Sequence, residues 1–316
     1  MCIMVIGSVQ TAVAAESAYP TRPIRIIDPF PPGGATDFID RIVSQKLSER
    51  FGQPVIVDNR PGAGGNLSAD IAARATPDGY TLHMNLPSGM AMGRVLFPGL
   101  GYDISKDFDY ITLVAAGTYV LVAHPAVSAK TVAELVALAK AKPGQLRYGS
   151  SGIASPPHLA FELLNLRTGM NALHVPYKGA GPLVAGLTGG EVQLGFSSPA
   201  GASGLIKAGK LTAIAVSSAK RAKSLPSVPT VAESGYPDFD VTPSYGYMAP
   251  AGTPRHLIAL LNKEIGKIVE MPDVQSALLT QGLEAQHSTP AEMRRIMHEE
   301  LARWSKVIRE ANVKPQ

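Results

Sequence analysis

The sequence predicts an α/β protein of two lobes, each with a mixed, mostly parallel sheet flanked by helices. A strand, a turn and a helix follow one another three times between residues 24 and 93, and the same order returns after residue 146. With 316 residues, 45% of them apolar, the chain is long enough to bury two hydrophobic cores. In this architecture ligands lie beyond the carboxyl ends of the strands.

The first three units have strands at 24–28, 54–58 and 80–85, each followed by a Gly- or Pro-containing turn and a helical pattern. An apolar strand at 110–124 is long enough to cross between lobes. The later expected helices are 131–141, 155 onward, 182–187, 255–270, 273–281 and 290–312. The later expected strands are 146–149, 174–176, 192–196, 212–217 and a return strand near 244–249.

This order predicts that one lobe is inserted into the other. Residues 16–121 and 244–316 would form lobe 1, and residues 122–243 would form lobe 2. Such an insertion makes two crossings and therefore a hinge that can close on a ligand.

The first fifteen residues are uncharged and apolar and end in small residues, which is typical of the end of a secretory leader. The missing basic region indicates a truncated leader, and an apolar N-terminal strand is the alternative. The stretch is too short to span a bilayer. Cys2, the single cysteine, would leave with the leader. We therefore expect a secreted protein without disulfides.

Several function classes find no support in the residues. The net charge of +4 is scattered, with no basic block for nucleic acid. The 62–67 segment lacks the third glycine of a dinucleotide fingerprint, the 149–153 segment lacks the last glycine of a nucleophile elbow, and no P-loop occurs. The seven histidines lack metal-ligand spacing. The expectation is a protein without cofactor or metal that is not an enzyme.

The turn after the first strand predicts an anion site. It contains no Lys or Arg, so an anion there must be held by backbone N–H groups, a small hydroxyl and the positive end of the helix dipole. Asp37 is assigned to shaping its helix, because its charge would oppose a bound anion. The predicted site residues of this turn are Phe30, Pro31, Pro32, Gly33, Gly34, Ala35, Thr36 and Asp37.

A similar turn follows the strand at 146–149. Ser150 and Ser151 offer hydroxyls, and Ser155 is a natural N-cap before Pro156. Two such turns in matching lobes predict one shared carboxylate site. The apolar walls would include Phe30 and Tyr245, and His158 could touch the acid; for each of these, packing in the core is the alternative interpretation.

Taken in order, these turns resemble the periplasmic solute receptors of tripartite tricarboxylate transporters, the Bug family. The matching segments span almost the whole mature chain: YPTRP at 19–23, PFPPGGATD at 29–37, VDNRPGAGGN at 57–66, DGY at 78–80, TVAEL at 131–135, YGSSG at 148–152, HVPYKG at 174–179, PSVPTVAE at 226–233 and APAGTP at 249–254.

The resemblance implies a two-lobed type II periplasmic binding protein, or Venus flytrap, without a cofactor. The 30–37 turn would grip a ligand carboxylate, with further contacts from the second lobe and from the third turn. These additional site residues are Asn85, Ser88, Ser150, Ser151, Ala154, Ser155, Tyr177, Ala180, Ser197 and Ser198. Ser197 stands where many relatives carry Asp, which weakens the case for an amino-acid ligand, and the 85–90 turn makes the distal pocket more apolar.

The resulting hypothesis is a monomeric periplasmic receptor that delivers a dicarboxylate, a tricarboxylate or an aromatic carboxylate to membrane permease subunits. An extracytoplasmic sensor that presents the closed form to a signalling receptor is the alternative. A periplasmic hydrolase or isomerase is a third possibility, and it would be distinguished by turnover of the ligand.

Overall fold

The structure is a computed structural model that describes residues 19–97, 99–153, 155–311 and 313. The predicted leader at 1–15 and the predicted site residue Ala154 lie outside these ranges. Within the ranges the strands form two sheets, one of six strands and one of five. No helix in this part of the chain combines the length and the apolar character that crossing a bilayer requires.

The first sheet has the order β11-β4-β10-β3-β1-β2, in which β1 to β4 run in one direction and β10 and β11 run against them. Its strands are β1 Ile24–Asp28, β2 Val55–Asn59, β3 Thr81–Asn85, β4 Phe108–Gly117, β10 Ser244–Pro250 and β11 Leu283–Ala285.

The second sheet has the order β7-β6-β8-β5-β9, and only β5 runs against the other four strands of this sheet. Its strands are β5 Val120–Ala123, β6 Arg147–Ser150, β7 Leu173–Pro176, β8 Leu194–Ser197 and β9 Thr212–Val216. The α/β class with two mixed, mostly parallel sheets is therefore confirmed.

Helices flank both sheets and cover the apolar side chains of the strands. Their bounds are α1 Ala35–Phe51, α2 Asn66–Ala73, α3 Pro87–Leu96, α4 Val132–Ala141, α5 Pro156–Thr168, α6 Ala180–Thr188, α7 Pro199–Lys207, α8 Arg255–Val269, α9 Pro272–Thr280 and α10 Pro290–Glu310. A short 3-10 turn, Ala63–Gly65, precedes α2. The last turns of α10 reach across to the second lobe, where the buried Trp304 packs in the same cluster as Phe161 and Phe196.

The chain crosses between the sheets at Thr118 and Tyr119, where the expected single strand 110–124 is in fact split into β4 and β5. The segment by which the chain returns from β9 to β10 lies beside this first crossing. Thr118 Oγ1 accepts the N–H and the hydroxyl of Ser218, at 3.2 and 2.8 Å. Ser217 Oγ donates to Val241 O at 2.6 Å and accepts Tyr119 N–H at 2.9 Å. These side-chain bonds tie the two connecting segments together between the two sheets.

Two elements were not expected from the sequence. Helix α7 contains three glycines or serines between residues 201 and 204, which weakens the helical pattern, but Ser198 caps it and Pro199 occupies its first turn. Strand β11 is three residues long and exists through its pairing with β4. Tertiary contacts, rather than local propensity, decide both elements.

Candidate ligand-binding site

The carboxyl ends of the parallel strands in both sheets lie at the edges that meet at the hinge. Asn85 at the end of β3 pairs with Gly246 near the start of β10, and Ser197 at the end of β8 pairs with Val120, which directly follows the hinge. Helices begin just after β1, β3, β6, β7 and β8, so these helix N-termini lie along the same edges. First-turn N–H groups of a helix lack intrahelical partners and favour anions.

The 30–37 turn is held in shape by two acidic side chains. Phe30 N–H donates to Asp28 Oδ1 at 2.7 Å, and Gly33 N–H donates to Asp37 Oδ2 at 3.0 Å. Asn59 Nδ2 donates to Phe30 O at 3.0 Å. The N–H groups of Phe30 and Gly33 are therefore engaged within the protein, which the sequence did not anticipate.

The groups that this turn offers to a ligand are those at the start of α1. Residues 31–34 are exposed, and Gly34, the N-cap, makes no side-chain cap bond. The N–H groups of Ala35, Thr36 and Asp37 belong to the first helical turn and have no carbonyl one turn earlier to bind. The Thr36 hydroxyl, predicted as an anion donor, instead donates to Asp28 Oδ1 at 3.1 Å.

Asp37 shapes the turn, as the sequence predicts. Its carboxylate accepts bonds from Arg41 Nε at 2.8 Å, Arg41 Nη2 at 3.0 Å and Asn59 Nδ2 at 3.2 Å, in addition to Gly33 N–H. Burial opposes its ionisation, but the bonds from Arg41, Gly33 and Asn59 together lower the pKa of Asp37. The Arg41 guanidinium is thereby paired with Asp37 on α1.

The third turn supplies two buried polar groups without a partner among the described residues. Asn85 Nδ2 donates to Gly246 O at 2.9 Å, but Asn85 Oδ1 accepts no hydrogen bond from the described residues. Ser88 Oγ likewise has no hydrogen-bond partner among them. Both residues are at most 4% exposed; Asn85 ends β3, and Ser88 lies in the first turn of α3. Buried polar atoms without partners carry a free-energy cost, so these two atoms are candidates for ligand contact.

In the second lobe, Ser150 ends β6 and is fully buried. Its Oγ donates to Gly152 O at 2.9 Å and lies 2.7 Å from His174 Nε2. Its predicted role as a hydroxyl donor to the ligand therefore needs correction, since this hydroxyl is engaged inside the lobe. Ser155 caps α5 as predicted, accepting His158 N–H at 3.4 Å, while Ser151 is half-buried and its hydroxyl makes no bond within the described part of the chain.

Beside Ser150 a column of rings fills the lobe interior. Phe161 stacks on Tyr148 at 3.9 Å between ring centroids, Tyr148 on His174 at 4.9 Å, and His174 on His158 at 3.9 Å. Burial lowers the pKa of His158 to about 3, with the neighbouring His174 adding to the effect, and burial lowers that of His174 to about 4. Both imidazoles are therefore neutral at neutral pH, so His158 offers a bound acid no positive charge.

Two predicted contacts of the second lobe differ in their placement. The Tyr177 hydroxyl donates to Glu191 Oε2 at 3.0 Å, and its ring lies against Gly186 on α6. Because Glu191 precedes β8, this side chain points toward the opposite edge of the sheet, and its predicted ligand contact needs correction. Ser197, by contrast, ends β8 at the cleft edge, with a hydroxyl that makes no bond within the described ranges.

The remaining predicted residues lie at helix starts or at the hinge. Ser198 caps α7 by accepting Gly201 N–H at 3.2 Å, and the exposed Ala180 begins α6. Tyr245 is buried on β10, opposite Ala115 near the end of β4. Burial raises the pKa of Tyr245 to about 12, so its phenol stays neutral. Tyr245 thus lies near the hinge.

The basic residues near these turns, Arg94 and Lys178, are both exposed. A cavity of about 600 Å³ lined by Asp109, Arg255 and Arg294 lies at the other edge of the first sheet, where β4 begins and β10 ends. Because that edge is opposite the strand ends that meet at the hinge, we place the candidate site at the hinge edge, where the helix starts converge.

Sequence reasoning missed Asp28, Asp40, Asn59 and Tyr119. A usable signal existed for Asp40, because it falls on the buried face of α1 together with Ile39, Val43 and Leu47. Asp28 is the buried last residue of a strand that is otherwise apolar except for Arg25. For Asn59 and Tyr119 the sequence carries no comparable signal.

Two lobes joined by two adjacent crossings, with helix starts from both sheets facing the hinge, define a two-lobed solute-binding protein. Residues 39–313 match the family described as "Tripartite tricarboxylate transporter family receptor", so the chain belongs to that family. The resemblance inferred from the turns is thereby confirmed.

Relatives of known sequence and structure match over nearly the whole chain. BugT of Bordetella pertussis (strain Tohama I) is 38% identical over 304 residues, which are 96% of this chain and 93% of that protein. The structure "R. palustris Rpa4515 with adipate" has a TM-score of 0.87 at 33% identity and covers 94% of this chain and 100% of its own. MatC from Rhodopseudomonas palustris with bound malate has a TM-score of 0.82 at 30% identity, covering 92% and 100%.

Proposed function

We propose that this receptor captures a small organic acid in the periplasm and delivers it to the membrane permease subunits of a tripartite tricarboxylate-type transporter. The ligand class would be a dicarboxylate, a tricarboxylate or an aromatic carboxylate. The observation that carries the proposal concerns the strand ends that lie toward the hinge. The first sheet contributes the starts of α1 and α3, which have no side-chain cap, and two unpartnered buried polar atoms, and the second sheet contributes the Ser197 hydroxyl. The adipate and malate complexes of similar receptors support a carboxylate.

One ligand carboxylate would lie at the start of α1 and accept the first-turn N–H groups. A charge-assisted hydrogen bond contributes about 1.5–3 kcal/mol, so a few of them could offset desolvation and give micromolar binding. The second polar end of the ligand would reach Asn85, Ser88 or Ser197. Binding through backbone groups needs no basic side chain, which fits the 30–37 turn, where no Lys or Arg occurs.

We infer binding without turnover. Ser150 Oγ and His174 Nε2 are at hydrogen-bond distance, as a nucleophile and its base would be. Ser150 is fully buried, however, and its hydroxyl also donates to a carbonyl, so it is not presented to a ligand. Recovery of the unaltered acid after prolonged incubation with the protein would support this inference, and appearance of a product would refute it.

A thermal-shift screen tests the ligand class. Purified protein would be heated with adipate, malate, citrate, benzoate and aspartate in parallel, because a ligand that binds the folded state raises the melting temperature by mass action. We expect a shift with at least one carboxylate and none with aspartate. A shift with aspartate alone would contradict the proposal.

A further inference from the structure

Two aspartates lie buried beneath the 30–37 turn. Asp28 ends β1, Asp40 lies on α1, and neither side chain is accessible to solvent. Their Oδ2 atoms find no N–H or O–H donor among the described residues. Asp28 Oδ1 accepts the hydroxyl of Thr36, which lies one helical turn before Asp40 on the buried face of α1, so the two carboxyls lie on the same side of that helix. Ionised carboxylates only accept hydrogen bonds, so a bond between the pair requires a proton on one of them.

The other oxygen of each carboxyl shows which one keeps the charge. Asp28 Oδ1 accepts Phe30 N–H at 2.7 Å and the Thr36 hydroxyl at 3.1 Å. Asp40 Oδ1 accepts only the Tyr247 hydroxyl, at 2.6 Å. Asp28 therefore has two donors that favour its ionised form, and Asp40 has one. The proton belongs on Asp40, whose Oδ2 then donates to Asp28.

The charged and titratable neighbours favour the same arrangement. On α1, Asp37 adds a negative charge that is paired with Arg41, while β10 contributes Tyr247 and β2 contributes the neutral Asn59. Burial, followed by the charge of Asp28, raises the pKa of Asp40 well above its usual value. Burial also raises the pKa of Asp28, against the bonds from Phe30 and Thr36 that lower it.

We propose that Asp28 and Asp40 share one proton and act as positioning residues for the anion-binding turn. Ionised Asp28 fixes Phe30 and Thr36, and the proton on Asp40 limits the negative charge beneath the turn to one. This inference rests on the proposed function, because the anion would bind at the start of α1. Loss of the proton would place a second charge there and weaken binding on the order of tenfold.

The direction of the linkage follows from the charges. A bound anion makes removal of the shared proton harder, so the protonated pair binds the anion more tightly. The affinity for the anion is therefore highest while the pair holds its proton, and it falls as the pH rises through the range in which the pair loses that proton. Asp40→Asn keeps a donor toward Asp28 and an acceptor for Tyr247, so it mimics the protonated pair permanently.

The first experiment needs no ligand. Infrared difference spectra at neutral pH should show a protonated-carboxyl C=O band in the wild type that is lost in Asp40→Asn. The same band should also be lost in Asp28→Asn, because the new amide would donate to an ionised Asp40. Asp28→Asn can therefore replace Asp40→Asn in this experiment if Asp40→Asn fails to fold. The matched control is Glu300→Gln, which changes a half-buried acid with a raised pKa, bonded to Trp304, and should leave the Asp40-dependent band unchanged.

Hydrogen exchange tests the positioning. Asp28→Ala should expose the Phe30 amide to exchange at least tenfold faster, whereas Asp28→Asn should restore protection because its Oδ1 still accepts. A wild-type spectrum identical to that of Asp40→Asn, or a Phe30 amide that exchanges equally in all variants, would overturn the proposal.

The second experiment measures adipate binding by calorimetry from about pH 5 to about pH 9. The wild-type affinity should fall toward high pH, and Asp40→Asn should give a flat profile. A profile of Asp40→Asn that follows the wild type would refute the linkage. If adipate binds no variant, the proposed ligand class fails, and the infrared and exchange results still decide whether the pair shares a proton and positions the turn.

Discussion

Asp37 Oδ2 accepts the N–H of Gly33 at 3.0 Å, so a buried residue in the first turn of α1 also closes the turn that precedes the helix. The same carboxylate binds Arg41. The turn is therefore fixed by hydrogen bonds within the protein itself. Such preorganisation reduces the entropy that binding must overcome.

Gly34→Val should abolish the thermal shift by a carboxylate while leaving the fold intact. Gly34 has φ −84° and ψ 177°, which any residue adopts, and its added Cβ would meet only Pro31 O at 3.8 Å. The stability cost should stay within about 1 kcal/mol. The melting temperature with and without malate or adipate measures the effect.

Two comparisons sharpen that test. Gly204→Val, at an exposed glycine of α7 with open space around it, should keep the ligand shift. Gly33→Val is a poorer probe, because Gly33 has φ +90° and the substitution would add strain of about 1–3 kcal/mol. A full ligand shift in Gly34→Val would contradict our placement of the site.

Asp37→Asn should destabilise the protein by about 1–2 kcal/mol at neutral pH, because a charged hydrogen-bond acceptor is lost. The pKa of Asp37 is lowered in the folded state. Its contribution is therefore present above the unfolded-state value and is lost as the pH falls through the folded-state value. Urea unfolding at pH 7 and near pH 3 should show the difference between wild type and variant shrinking in acid.

The matched control for that prediction is Asp273→Asn, which breaks an exposed pair with Lys46 and should change stability much less. Equal losses in the two variants would mean that the bonds around Gly33 and Arg41 contribute nothing beyond a surface ion pair.

Ser88→Ala and Ser68→Ala should have opposite effects. Ser88 Oγ has no partner in the described structure, so its removal should leave stability unchanged and weaken a ligand that it contacts about five- to tenfold. Ser68 Oγ donates to Gly65 O at 2.7 Å and lies 3.0 Å from His83 Nε2, so its loss should cost about 1–3 kcal/mol without affecting affinity. Calorimetric binding and urea unfolding of both variants decide the matter; unchanged affinity in Ser88→Ala removes it from the site.

The stacked His158 and His174 should stay neutral in the folded protein. With pKa values lowered to about 3 and about 4, their ring C–H resonances should not titrate between about pH 5 and pH 8, while free histidine in the same tube should. The unfolded chain takes up these protons near pH 6.5, so stability should fall as the pH drops below that value. A ring shift with a midpoint near 6.5 would show that the rings are solvated.

The order of elements could be predicted because hydrophobic periodicity and turn residues are local signals. Ser155 before Pro156 and Thr131 before α4 cap their helices as such residues are expected to. Helix α7 and the split of the 110–124 strand were missed, since both depend on neighbours distant in sequence. The lobe bounds proposed from the sequence stay a prediction, as does the monomeric state.

The candidate site was only partly predictable. The sequence located the turns and the helix starts after the strands, because strand-turn-helix units place them at the carboxyl edge. It could not assign the hydroxyls of Thr36, Ser150 and Tyr177, which bind Asp28, Gly152 O and Glu191 inside the fold. Hydroxyl groups take the partner that packing provides, and that partner is not encoded nearby in the chain.

The sequence by itself therefore determined the α/β class, the family and the absence of cations in the 30–37 turn, because spacing and residue type express these directly. The tertiary structure alone decided that Asp28 and Asp40 face each other under the first turn and that the edges of the two sheets meet at Thr118 and Tyr119. Those relationships join residues through space, where burial changes the proton affinity of a carboxyl and brings together groups that lie far apart in the chain.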